Sequence, residues 1–273
     1  MLSGCHLMDS GEILRTCEDL VAGCTAVEDS GSSDTDTGSD LVDADGDGFP
    51  SADDCNDGDP SIFPGADEFC DGIDSDCDGT ESSGLITVDG VNHDTIQGAI
   101  DSAPTDSTVH ICGGDWNENI VISQTISLDG TSHTETPLLN GLGTTSTVHI
   151  AGGDVSLTGL NIRGGSGLAR TDTWGTSNLV GGGGVVEAGS LILSDSIISG
   201  NTAETGGGIF FSDQAEASEI RNSTITQNTA SYLSGGIYTE APLILTSSTI
   251  TENEALYVGG LYAVETDLVL DDS

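Results

Sequence analysis

The chain has 273 residues, with 46 acidic side chains, four arginines and no lysine, for a formal net charge of −42. Such a surface has nothing with which to hold phosphates, which excludes nucleic acid as a partner and disfavours an anionic membrane. No apolar run reaches the length that spans a bilayer as a helix, and a charge of this sign suits cations.

Residues 1–26 open with Met1-Leu2-Ser3-Gly4-Cys5. Leu-Ser-Gly-Cys resembles the bacterial lipobox. The resemblance implies a lipid on Cys5, export, and membrane contact through that lipid alone, with the rest of the leader upstream of Met1. Ile13, Leu14, Cys17, Leu20, Val21 and Cys24 then form one stripe of a short helix. On a continuous helix Cys17 and Cys24 stand about 10 Å apart, too far for a disulfide, so they pair only if the helix ends near Gly23. Residues 27–40, including DSGSSDTDTGSD, contain almost no large apolar residue and read as a disordered acidic linker.

Nineteen of the 46 acids fall between Glu28 and Glu81, with no histidine or cation among them, and from residue 41 they become phased. Asp43, Asp45, Asp47, Gly48, the Phe49 carbonyl and Asp54 occupy the places of a 12-residue calcium loop, in which Gly allows the sharp turn. A second register runs Asp57, Asp59, Ser61, the Phe63 carbonyl and Glu68. A third, Asp74, Asp76, Asp78 and Gly79, needs Asp71 or Glu81 to complete its shell. Carboxylates packed this densely repel one another until a cation neutralises them, and an oxygen-only donor set suits a hard cation. The expectation is two or three calcium ions rather than copper, in a module spanning residues 41–82. The string from Asp43 to Gly79, with Asp54-Cys55-Asn56-Asp57 and P-G-A-D-E-F-C-D-G-I-D-S-D-C-D-G, resembles the metal-binding motif of bacterial surface proteins related to the copper-binding protein MopE. With Cys5 set aside, Cys17, Cys24, Cys55, Cys70, Cys77 and Cys112 suit disulfides in an oxidising compartment. Cys70 and Cys77 flank a loop and are the expected pair; the rest of the connectivity stays open.

Residues 83–273 read as all-β. Ile96, Ala99, Ile100 and Ala103 lie on one face of an amphipathic helix predicted over 93–103, which covers the first coil of a solenoid. Strands are predicted at about 108–112, 119–122 and 125–129. From Gly181 the chain divides at glycine pairs into lines of about 25 residues, with Leu193, Ile220, Leu245 and Leu270 equivalent and Leu157 aligned before them across an insertion at about 166–180. Short alternating Val/Ile/Leu/Ser/Thr runs and glycine turns at this period predict a parallel β-helix. It has three strands per coil and roughly seven coils, about 35 Å long at ~4.8 Å per coil. Asn201, Asn228 and Asn253 end equivalent strands and are expected to form a structural ladder. His110 and His149, each in a T-V-H-I run, are expected at one stacked position on the strand surface. The run T-I-Q-G-A-I-D-S-A-P with V-H-I-C-G-G-D-W-N-E-N-I resembles the first coil of pectin-lyase-like right-handed β-helix proteins, and the GGG-I and S-T-I-T lines resemble bacterial β-helix surface proteins. The last line stops inside a coil, so the sequence is expected to be a fragment of a longer chain.

These elements predict an exported, lipid-anchored bacterial cell-surface or secreted protein: a calcium module on a β-helix scaffold for adhesion, glycan binding or display. Arg163, Arg170 and Trp174, in or flanking the insertion, are the candidate contacts to a polysaccharide or surface glycan. The alternative is a calcium-dependent polysaccharide lyase or hydrolase, as the pectin-lyase-like resemblance implies. A chain with no lysine and few arginines lacks the cations such a lyase uses to neutralise a uronate, so no catalytic residue is assigned.

Overall fold

Asp89 and Gly90 both take left-handed backbone angles, φ 50° and 71°, and the two-residue turn they make starts the ordered β structure. It closes a hairpin of β1 (Ile86–Val88) and β2 (Val91–Asn92), and β1 runs antiparallel to β3 (Thr108–Ile111). A computed structural model describes residues 42–79, 84–131, 135–171 and 177–273. Cys5, Cys17, Cys24, Glu81 and Trp174 lie outside them.

Helix α1 (Ile96–Ser102) is shorter at its start than predicted, because Thr95 caps it: the Thr95 side chain accepts from the Gly98 amide, while the Glu118 carboxylate accepts from the Ile96 and Gln97 amides at 2.8 and 3.0 Å. Its buried face is Ile96, Ala99 and Ile100, as the spacing requires. Helix and hairpin together cover the first turn. The hairpin was signalled by the Asp-Gly pair between Val88 and Val91.

Beyond β3 the chain winds as a parallel β-solenoid. Among the described residues its strands form a nine-stranded sheet I, six-stranded sheets II and IV, and a five-stranded sheet III. One turn runs Ser190–Ser194 (I), Ile197–Ser199 (II), Thr202–Thr205 (III) and Ile209–Phe211 (IV). There are therefore about six turns rather than seven; the first two have the expected three strands, and the later ones gain a fourth in sheet III. The chain turns from sheet III into sheet IV at Gly206–Gly208. There a Cβ on Gly207 would meet the Gly235 and Thr229 carbonyl oxygens at 2.6 Å, which is why only glycine fits the crease. The corner between sheets I and II recurs with Asp195, Asn222 and Ser247 at φ 51°, 49° and 49°, small polar residues that tolerate this region.

Register follows the repeat. Leu157 pairs with Leu193, Leu193 with Ile220, Ile220 with Leu245, and Leu245 with Leu270; the first four are buried in the central apolar column. The asparagine ladder forms as expected: Asn201 Nδ2 donates to Asn228 Oδ1 at 2.9 Å, and Asn228 Nδ2 to Asn253 Oδ1 at 3.0 Å. A second ladder was not anticipated. The amides of Ser196, Ser223 and Ser248 donate to the hydroxyls of Ser223, Ser248 and Ser273 at 3.1, 3.2 and 3.1 Å. The insertion is a hairpin, Leu168–Thr171 against Ser177–Val180, added to sheet III. His110 and His149 do not stack. His110 lies in sheet I opposite Thr87 and Asp129, while His149 lies in sheet IV between Val121 and Val185, because the two T-V-H-I runs fall on different sides of the coil.

Candidate metal centre

In the D-x-D-x-D-G segments the backbone folds around its own carboxylates. Asp43 Oδ1 accepts from the Gly46 amide at 2.7 Å and its Oδ2 from Gly48 at 3.1 Å. Asp74 does the same in the second copy, accepting from Asp78 at 3.2 Å and Gly79 at 2.9 Å. Gly48 and Gly79, each five residues after the first acid, sit at φ 107° and 90°, which lets the loop turn back on that acid.

Asp45, Asp47 and Asp54 of the first loop each use one oxygen on the backbone. Asp45 Oδ1 accepts from Asp47, Asp47 Oδ1 from Phe49 and Asp54 Oδ1 from Asn56. Their Oδ2 atoms are buried and have no hydrogen-bond partner. Oxygens of Asp43, Asp45 and Asp47 lie within 4.8 Å of one another, and Asp54 is close enough to act on Asp45. The pKa of Asp45 is raised, first by desolvation and then by the charges of Asp47, Asp54 and Asp43, against the opposing hydrogen bond from Asp47. Buried anionic oxygens with no donor are costly, so the geometry fits a cation at Asp43, Asp45, Asp47 and Asp54. All donors are hard oxygens, which suit a hard cation.

The second register does not assemble as spaced. Glu68, predicted to close it, instead has an oxygen within 4.8 Å of oxygens of Asp74 and Asp76. Its Oε1 accepts from the Ser75 and Asp76 amides at 2.6 and 2.9 Å. The cause is strand-like pairing of Phe63 with Ser75 and of Gly65 with Asp76, which sets 63–68 beside 74–76. Glu68 thus supplies the acid the third register lacked, whereas Asp71 Oδ1 accepts from the Ile73 amide. Asp57 Oδ1 accepts from the Ala44 amide of the first loop. Asp59 accepts from both the amide and hydroxyl of Ser61, which lower its pKa. The Phe63 carbonyl accepts from Ala66, and its ring stacks on Phe49 at 5.4 Å.

The expected Cys70–Cys77 pair is not formed. Cys55 bonds Cys77 and Cys70 bonds Cys112. Cys77 faces Cys55, whose amide approaches its sulfur at 3.2 Å, while Cys70 is fully buried and turned to β1, its amide donating to Thr87 Oγ1 at 3.1 Å. Cys55 and Cys77 lie near Asp54, but disulfide sulfurs are not thiolate ligands. The Cys55–Cys77 bridge joins the two acid clusters, and Cys70–Cys112, with Asn92 Nδ2 donating to the Glu68 carbonyl at 2.9 Å, fixes the module to the first turn. Arg163 and Arg170 are in different sheets, II and III. Arg170 is held by Asp213 at 3.0 Å and Glu240 at 3.4 Å.

Comparison with known sequences matches residues 54–82 to the family described as a putative metal-binding motif of the copper-binding MopE type. No curated protein and no solved structure shows significant similarity to the chain. The chain therefore carries a metal-binding motif on a parallel β-solenoid.

Proposed function

We propose that this is an exported, lipid-anchored bacterial surface protein in which two calcium ions order an acidic module seated on a β-solenoid that serves adhesion or display. The observation carrying the metal assignment is the set of buried, unpartnered Oδ2 atoms of Asp45, Asp47 and Asp54 in a site built of oxygen alone. Glu68, Asp74 and Asp76 hold the second ion, with Asp78 beside them. The ion supplies charge neutralisation and a fixed loop geometry. Export agrees with two disulfides in the described residues, and the anchor rests on Cys5. A scaffold is favoured over a lyase because Arg170 is already engaged by two carboxylates and Arg163 lies on another sheet.

Calorimetric titration of the chelator-treated full chain tests the metal reading. Two calcium equivalents are expected, with Asp45→Asn losing one of them and copper(II) failing to compete. Absence of calcium uptake, or displacement of calcium by stoichiometric copper, overturns it.

A further inference from the structure

The chain has only four tyrosines, Tyr232, Tyr238, Tyr257 and Tyr262, and the fold gathers all four on adjoining sides of its last turns. Tyr238 stacks on Phe210 at 5.2 Å and on Tyr262 at 5.7 Å along sheet IV. Tyr232 meets Tyr257 edge to face at 5.2 Å on the sheet III side. Tyr232 is 54% exposed and Tyr257 66%, so neither is there to fill the core. Between the two rows runs a groove of about 660 Å³, lined among others by Arg170, Glu204, Phe210, Tyr232, Tyr238 and Glu240. Its size is that of a small-ligand site.

The polar groups of this groove are largely committed. The Arg170 guanidinium binds Asp213 and Glu240 and lies 5.2 Å over the Phe210 ring. Glu240 also accepts from the Asp213 amide and from the Tyr238 hydroxyl at 3.2 Å, and Glu204 accepts from the Leu179 amide at 2.8 Å. No free cation is left among these lining residues to grip a carboxylate or sulfate, and the charge of −42 repels polyanions. Glu240 is already paired with Arg170, so only Glu204, with one amide bond, is left to meet a lysine, and the two do not form a free clamp. What stays available is the exposed ring of Tyr232 beside hydrogen-bond acceptors, including the lone pairs of a Tyr238 oxygen whose proton is directed at Glu240. A pyranose ring has the complementary chemistry: apolar C–H faces for the rings and hydroxyl donors for the oxygens.

We propose that the groove between Tyr232 and Tyr238 binds a neutral oligosaccharide. This deepens the adhesive part of the proposed function and does not depend on the metal, since the groove lies on the solenoid and the acid clusters lie before its first turn.

The test is calorimetry of the full chain with six-sugar fragments of cellulose, xylan and mannan, beside hexagalacturonate and a lysine-rich peptide, with and without chelator. At least one neutral probe is expected to bind in both conditions. Tyr232→Ala is expected to weaken it by about tenfold or more and Tyr232→Phe by less, both with unchanged circular dichroism. Equal affinity in wild type and Tyr232→Ala, binding only of hexagalacturonate or of the peptide, or no neutral probe bound overturns the proposal. Neutral binding that vanishes with chelator overturns its independence from the metal, while calcium uptake on the same samples reports separately on the metal reading.

Discussion

Asn228 is fully buried, and its side chain serves four partners at once. It accepts from the Asn201 amide and Nδ2, and donates to Asn253 Oδ1 and the Ile198 carbonyl. Asn228→Ala strands donors and an acceptor away from water, at about 1–3 kcal/mol for each group left unmade. Thermal melting is expected to fall by roughly 4–8 °C for a loss of about 2 kcal/mol, and by less for Asn253→Ala, which is only partly buried. Tyr238 makes a second single-residue prediction. Burial, and then Glu240, push its phenol up from 10.0 to about 12. A group with a raised folded pKa contributes stability that is complete below its unfolded value and is lost as pH rises through the folded one. Tyr238 therefore costs stability between about pH 10 and 12, and Tyr238→Phe should flatten the alkaline limb of the melting profile there. An unchanged limb in that variant would assign the loss elsewhere.

At the scale of elements, the repeat made the solenoid legible. Leu157, Leu193, Ile220, Leu245 and Leu270 stack in the order their spacing required, because in a solenoid each line meets only its neighbours and sequence period becomes spatial period. The serine ladder was equally periodic, at Ser196, Ser223, Ser248 and Ser273, but serine is common in this chain and its hydroxyls carried no separate signal. The module obeys no such rule. Its three apparent registers become two acid clusters because Gly65 pairs with Asp76 and brings Glu68 across, a contact between unlike segments that no spacing announces. The disulfides differ from expectation for the same reason. Cys55–Cys77 ties the loop of Asp54 to that of Asp76, so Cys55→Ser with Cys77→Ser should leave both clusters present but loosely apposed. Calorimetry is expected to give two calcium sites of weaker affinity than wild type. Unaltered affinity would mean that each cluster is ordered by its own turn alone.

Across the whole described chain, the solenoid is held by apolar stacking and ladders, and the module by disulfides and, in the proposed function, by metal. If the proposed ions are bound, withdrawing them should act on the module and spare the solenoid. Hydrogen exchange after chelation is expected to quicken at the amides of Gly46, Gly48, Asp78 and Gly79, which point at Asp43 and Asp74, and to leave the central strands unchanged. Simultaneous loss of protection in Ser190–Ser194 and Leu243–Thr246 would show the two parts to be one cooperative unit. The bond from Cys70 to Cys112 spans 42 residues and has a mechanical consequence. Tension entering from the N-terminal side passes through that bond directly to the residue after β3. The hairpin and α1, enclosed in the loop, bear no load. Pulled end to end, the oxidised protein is expected to keep its cap, and reduction should release about 140–150 Å of extra contour length. A solenoid whose open first turn is sealed by a lid outside the line of force can be stretched without being unzipped from that end.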